Sequence, residues 1–315
     1  MRHLIFDAHN LFIRNFAVNP TLDVNGEPVG GIVGTIRSVK SMVAEVRPDR
    51  VFMVWDGPGG SMKRRGIMAE YKEGRRVRLN RELESSGARE DADSMREQMG
   101  RVRPLLRLLG ATQLEVGDIE ADDAIAYLVG CLDPHQKVVV SSDRDLWQLV
   151  SPTTSVYWPV KKVYITSESM AADGCLPQNW AIYKALQGDR SDSIPGVRGV
   201  GPATIKRLFP ELSRRAFSLS EFFQLVEERS AEHPKAAAIL AARELVSRNV
   251  DIMQLTSPVI SATAAGLIRG AIDVPPSFNF TAFRLAMVNQ GIQLTDTDLM
   301  NTFRAYQMRA INAAA

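Results

Sequence analysis

A chain of 315 residues, 45% hydrophobic and 23% charged, is long enough for one large or two smaller domains and needs neither disulfides nor a structural metal to build a core. Its net charge of +2 decides nothing about nucleic acid, so the distribution of charge must. Cys131 and Cys175 are far apart and the four histidines form no cluster with them, which argues against zinc; HLIFDAHN at the N-terminus is no signal peptide, and no apolar run reaches the ~20 residues of a membrane span. A cytoplasmic protein without membrane contact is expected.

In chain order, Leu4, Ile5 and Phe6 form a short apolar run that ends at Asp7. A helical pattern follows at 32–46. Val51, Phe52, Met53, Val54 and Trp55 make a second run, ending at Asp56. Residues 57–100 differ from their surroundings. GPGGS opens a loop, and then Lys63, Arg64, Arg65, Lys72, Arg75, Arg76, Arg78 and Arg81 precede an acidic stretch from Glu82 to Glu97. Apolar residues are too sparse there to bury a helix, so the segment is expected to project from the core or to be mobile. After a helical pattern at 101–109 come Glu120, Asp122 and Asp123. Val138, Val139 and Val140 form a third run, followed through two serines by Asp143 and Asp145. Beyond 185, GDRSDSIPGVRGVGPATIKRLF is rich in Gly and Pro and then helical. Residues 220–248 read as helix interrupted by Pro234, 257–280 are too mixed to assign, and the Ala-rich tail after Met308 is expected to fray. Short apolar runs alternating with helices predict an α/β fold, a mostly parallel sheet with flanking helices.

The acidic positions form a set: Asp7, Asp56, Glu120, Asp122, Asp123, Asp143, Asp145, Asp189 and Asp192. A strand-ending Asp can merely start a turn or cap the next helix, and three acids at a helix start suit the helix dipole. Ligands of open α/β sheets, however, bind outside the carboxyl ends of the strands, where these residues would gather. Crowded carboxylates repel and raise one another's pKa, so such a set implies bound cations. With only oxygen ligands on offer, hard ions such as Mg²⁺ or Mn²⁺ are the natural guests. Two such ions roughly 3.5–4 Å apart can clamp a phosphodiester for in-line attack by water. No Ser-His-Asp or Cys-His set offers a side-chain nucleophile.

The stretches FDAHNLFIRN, VFMVWDG, AEYKEGRR, GDIEADDAIA, VVVSSDRDLWQLV and GDRSDSIPGVRGVGPATI, in this order from residue 2 to about 210, resemble the 5′-nuclease family: bacteriophage 5′-exonucleases, flap endonucleases and the 5′-nuclease domain of bacterial DNA polymerase I. The resemblance implies a 5′-3′ exonuclease and flap endonuclease acting on DNA with 5′ flaps, nicks or 5′ ends in replication or repair, with RNA in RNA–DNA hybrids as a further substrate. It implies an α/β nuclease core over 1–185 with an arch insertion at 57–100. A helical helix-three-turn-helix lobe with C-terminal helices would occupy 186–315.

By position, Asp7, Asp56, Glu120, Asp122 and Asp123 match the family's first metal cluster, and Asp143, Asp145, Asp189 and Asp192 match the second, with Asp143 near both. Two or more Mg²⁺ ions are implied, with Mn²⁺ as a substitute. Ala8 stands where many relatives have Gly, which leaves the carboxylate chemistry intact. Arg14 matches a family Arg that supports the site or the DNA. Lys72 and Arg75 match the YKxxR pattern and would stabilise charge on the scissile phosphate. Tyr71 would stack on a base near the cut, and Arg64, Arg65 and Arg76 would contact DNA. In a helix, Lys72, Arg75, Arg76 and Leu79 would share one side, although Gly74 costs about 1 kcal/mol relative to Ala. Gly199 and Gly201 resemble the helix-three-turn-helix element, whose backbone approaches phosphates; Lys206 and Arg207 would add contacts, with a K⁺ ion held nearby. Taken alone, two glycines also make an ordinary loop, and a basic run is also a solvated face.

Other classes are weaker. A DNA-binding scaffold without catalysis would keep the basic segment and the glycine hairpin but lose carboxylates, and none of the set is missing. A ribonuclease of the related type typically lacks the stretch from Gly188 to Gly201. A phosphatase with an Asp nucleophile would want Asp where His9 stands. No polymerase domain follows, so a free-standing monomer in a bacterium or a phage-infected cell is expected.

Overall fold

The computed structural model describes residues 1–73, 88–258, 260–294 and 298–314. Among them, β1 (Arg2–Asp7), β2 (Arg50–Trp55), β3 (Ala111–Glu115), β4 (Gln136–Val140) and β5 (Thr154–Trp158) pair in parallel, and β6 (Val163–Ile165) lies antiparallel to β5. The sheet order is β3-β2-β1-β4-β5-β6. The α-helices are α1 (Ala8–Val18), α2 (Gly30–Val46), α3 (Met62–Ile67), α4 (Ala88–Leu108), α5 (Ala121–Cys131), α6 (Ser167–Asp173), α7 (Trp180–Gln187), α8 (Pro202–Leu208), α9 (Leu219–Ser230), α10 (Pro234–Ala241), α11 (Arg243–Met253), α12 (Ala262–Asp273), α13 (Phe280–Asn289) and α14 (Asp298–Ala314).

Successive strand side chains point to opposite faces. Leu4 and Phe6 therefore enter a core shared with α1, α2, α4, α13 and α14, while Ile5 enters a second core with α5, α7 and α8 to α12. Both faces of β1 are covered, which is why its sequence is continuously apolar rather than alternating. The chain moves outward from β1 to β2 and β3, then returns to β4 on the other side of β1. Such a reversal is a topological switch point, and the crevice outside the strand ends there is where open α/β sheets hold ligands.

The predicted mostly parallel sheet with flanking helices is the observed fold. Pro234 opens α10, where its missing N–H costs nothing. Three local expectations change. The helix read at 101–109 begins at Ala88, and its outer part is anchored by Met99 and by Gln98, whose Oε1 accepts from Gly31 N at 2.9 Å. The tail after Met308 stays helical as far as Ala314, because Ala310 is buried and Tyr306 Oη bridges Val51 N and Gly110 O, each at 3.0 Å. The unassigned stretch contains α12, whose Ala264, Ala265 and Ile268 are buried. The apolar packing also crosses residue 185: Ile125 and Leu186 share a core with Ile205 and Phe222, and Leu4 shares one with Phe303. Among the described residues, no helix is long and apolar enough to cross a membrane.

Candidate active site

Asp7 ends β1 and is only 5% exposed. Its Oδ1 accepts from Asn10 N at 3.2 Å, so it does cap α1, and its Oδ2 accepts from Ser141 Oγ at 2.7 Å. Ser141 follows β4 directly. Its Oγ accepts from Asp143 N at 2.9 Å, and Asp143 Oδ1 accepts from Asp145 N at 2.8 Å. Asn10 Oδ1 takes the Ser142 N–H at 3.1 Å and its hydroxyl at 2.7 Å. The Ser-Ser-Asp-Arg-Asp segment is thus tied in series to the end of β1.

Asp56, one residue past β2, accepts from Ala121 N at 2.9 Å and fastens the start of α5. Gly57 permits that approach: a Cβ there would lie 1.7 Å from Val116 O. Glu120 stands at the N-cap of α5, with Asp122 and Asp123 in its first turn. Asp7, Asp56, Glu120, Asp122 and Asp143 consequently line one cleft of about 680 Å³, together with Arg14 and Lys72. Like charges crowd it. Burial, then Asp122 and Asp56, push Asp7 up to about 7 against the opposing hydrogen bond from Ser141. Burial, then Asp145 and Asp122, push Asp143 well above the usual carboxylate range.

Cations from the protein meet the remaining acids. Arg64 pairs with Glu120 and makes a two-pronged contact with Asp123 at 2.9 and 3.2 Å, while its Nε donates to Ile252 O at 2.9 Å. Tyr71 Oη donates to Glu120 at 3.0 Å, and Lys72 Nζ to its other oxygen at 2.7 Å. On the far side, Lys184 Nζ lies 3.0 Å from Asp145 Oδ1 and 2.7 Å from Asp189 Oδ2. Asp189 also accepts from Ser191 N and Oγ at 2.8 and 2.6 Å. Burial opposes ionisation of Asp189, yet Lys184 and Ser191 hold it below its ordinary range. Asp192 is buried beside Asp122, Asp145, Arg64 and Tyr71. Among the described residues, no three His, Cys, Asp or Glu side chains close on a common point as a finished ligand set in this conformation.

The nine acids expected from sequence therefore fall around one region but in two electrostatic settings. The expected DNA contacts divide more sharply. Arg64 and Tyr71 are 7% and 3% exposed, so neither faces solvent to meet a phosphate or a base. The cause is packing: Met68 and Tyr71 insert among Ile194, Ile252 and Met253, which draws α3 inward. The run from 57 does not project at this end. Lys72 lies in a turn at φ 56°, and Arg75, Arg76 and Leu79 of the expected helical face lie outside the described residues. Arg65, Lys206 and Arg207 are exposed. Gly199 turns at φ 74°, but Gly201 is extended at φ −119° and needs no special freedom.

Sequence reasoning missed Asn10, Ser141 and Lys184. The first two carried a usable signal, lying three residues after Asp7 and two before Asp143. Lys184 carried none, since a lone lysine in an apolar helical stretch reads as a surface residue.

The same architecture occurs in the bacteriophage T5 flap endonuclease solved in a pseudo-enzyme-product complex with DNA and metal ions, with a TM-score of 0.64 at 16% identity, covering 99% of this chain and 100% of that one. The bacteriophage T5 5′-exonuclease solved with bound zinc gives a TM-score of 0.62 at 17% identity, over 98% of this chain and 100% of that one. These likenesses establish the fold. Residues 2–174 match the 5′-3′ exonuclease N-terminal, resolvase-like domain, and the chain belongs to that family. The 5′-3′ exonuclease of Aquifex aeolicus is 30% identical over 236 residues, 74% of this chain and 75% of that protein. The thermostable DNA polymerase I of Thermus thermophilus is 30% identical over 238 residues, 75% of this chain and 27% of the polymerase, so this chain matches about a quarter of that relative's length.

Proposed function

We propose that this protein is a divalent-metal-dependent, structure-specific 5′-nuclease. It acts as 5′-3′ exonuclease and flap endonuclease, hydrolysing DNA phosphodiesters by a two-metal-ion mechanism in DNA replication or repair. One observation carries the reading: Asp7, Asp56, Glu120, Asp122 and Asp143, from remote stretches, line a single cleft with Arg14 and Lys72. The donors are all oxygens, and Asp7 is buried against like charge, a setting that a hard divalent ion relieves. Asp7, Asp56, Asp122 and Asp143 are the residues that would hold it. When bound, Mg²⁺, or Mn²⁺ in its place, supplies a water of lowered pKa and charge stabilisation at the leaving oxygen.

The chain's own groups do the rest. Ser141 and Asn10 fix the orientation of Asp7 and of the loop that carries Asp143. Lys72 and Arg14 meet the charge that develops on the phosphate. Lys72 must leave Glu120 to do so, because its ammonium is engaged there at 2.7 Å. Arg75 joins them on the strength of the family pattern, and Arg76 belongs to the same reading as a DNA contact. Arg65, Lys206 and Arg207 are exposed cations suited to duplex phosphates, and the turn at Gly199 suits close backbone approach, with K⁺ belonging to the same reading. The second expected carboxylate group does not fit an ion as it stands, because Lys184 lies between Asp145 and Asp189.

DNA as the ligand is supported by the T5 complex. Incubation with 5′-labelled flap, nicked and blunt duplexes, with and without Mg²⁺, tests the proposal. Cleavage near the flap junction only in the presence of the ion is expected; no cleavage of any of the three in Mg²⁺ or Mn²⁺ overturns it.

A further inference from the structure

Lys184 is only 6% exposed, and its position is fixed from several sides. It belongs to α7, whose Ile182, Tyr183, Ala185 and Leu186 are all buried. Asn249 of α11 is fully buried, and its Nδ2 donates to Ala185 O at 3.0 Å and to Pro195 O at 2.7 Å. That one side chain locks α7 to the two-residue ladder in which Gly188 and Asp189 pair with Pro195 and Ile194. Asp145 is held from the other direction through its N–H bond to Asp143. The backbone that carries Lys184, Asp145 and Asp189 therefore has little room to shift, and the ammonium is held between the two acids.

A divalent ion bridging two carboxylates sits about 2.0–2.6 Å from their oxygens. Lys184 Nζ already sits at 3.0 and 2.7 Å from one oxygen of each acid. Ammonium and ion would thus compete for one place, and their like charges forbid sharing it. The acids of the main cleft differ: Asp7 and Asp56 of the first group, and Asp143, which lines the same cleft although the family pattern counts it with the second, have no lysine or arginine within ion-pair distance among the described residues.

We propose that Lys184 is the resident cation of the second carboxylate group, holding Asp145 and Asp189 together in the DNA-free protein and keeping a divalent ion out from between them. This deepens the nuclease reading and rests on it: the resting protein carries an ion at the first group only, and a second can enter only when Lys184 swings away. Lys184 is a positioning residue, acting on phosphate chemistry through the two aspartates.

The test counts Mn²⁺ bound to DNA-free protein by electron paramagnetic resonance, for the unmodified chain, Lys184→Met and Lys184→Arg. Lys184→Met is expected to gain one Mn²⁺ per chain, and Lys184→Arg to gain none. The melting temperature of Lys184→Met should fall without metal and recover in Mn²⁺, whereas a merely structural lysine would give a loss that metal does not repair. A folded Lys184→Met that gains no ion overturns the proposal. So does a Lys184→Met that stays unfolded in Mn²⁺ while Lys184→Arg folds, because the ion then fails to replace the ammonium. Failure of the nuclease reading looks different: no Mn²⁺ on the unmodified protein, with or without a gain in Lys184→Met.

Discussion

The two carboxylate groups use the same residue type and reach neutrality by different routes. Around Asp145 and Asp189 the protein supplies its own cation: Lys184 holds Asp189 low despite burial, while burial still pushes Asp145 up against the same lysine. Around Asp7 and Asp143 it supplies hydrogen bonds from Ser141, Asn10 and the Asp145 backbone but, among the described residues, no lysine or arginine within ion-pair distance, and both acids are pushed up. Uncompensated buried charge is costly, since each ion must be stripped of water without a partner to repay it. A protein keeps such a group where something else arrives to neutralise it. The contrast separates acids with no cation in ion-pair contact among the described residues from acids that share a lysine, although both look alike as strings of Asp.

The contrast can be broken most directly at Asp143. Asp143→Ala should slow single-turnover cleavage on the order of a thousandfold, about 4 kcal/mol of barrier, while DNA affinity stays within a few-fold. Near-normal single-turnover rates in Mg²⁺ would remove this carboxylate from the chemistry. Lys72→Ala should cost roughly a hundredfold in the chemical step and far less in binding, which single-turnover rates beside measured affinity would show. If affinity falls and the rate does not, Lys72 only grips DNA. Ser141→Ala should weaken divalent-ion affinity about tenfold, measured by Mn²⁺ titration without DNA; an unchanged affinity would mean that orienting Asp7 does not matter.

The smallest effect is on stability and pH. Asp7 has a folded-state pKa of about 7, raised from 3.8 by burial and like charge. A raised acid favours the folded protein at low pH, and that advantage is lost as pH climbs from the unfolded value through about 7. Metal-free protein should therefore lose melting temperature across that window, and Asp7→Asn should flatten the loss. Divalent-ion binding should release a proton in the same window, seen as a binding enthalpy that depends on the buffer's ionisation heat. A pH-independent ion affinity between 5 and 7 would show that Asp7 is not a ligand.

Much of this was written locally. The runs ending at Asp7 and Asp56 and the one before Asp143 are continuously apolar because their strands are covered on both faces, and a window of a few residues suffices to read that. The glycine after Asp56 and the spacing of Glu120, Asp122 and Asp123 were likewise visible, and so was the family they resemble. The burial of Arg64 and Tyr71 was not legible, because a basic stretch reads as solvated until its partners are known. The partners of Arg64, which are Glu120, Asp123 and Ile252, lie 56, 59 and 188 residues away, and Glu120 lies 49 from Tyr71. The Ala-rich tail misled for the same reason, since Tyr306 is fixed by Val51, 255 residues earlier.

The sequence by itself determined that a mostly parallel sheet forms, three of its buried strands and the number and type of acids near their ends, because period and composition act over one element at a time; β3, β5 and β6 carried no comparable run. Only the tertiary structure decided which acids share a cleft, which basic side chains turn inward, and that Lys184 stands between Asp145 and Asp189. Charge interactions depend on distance through space, and the chain order of lysines and aspartates does not carry that distance.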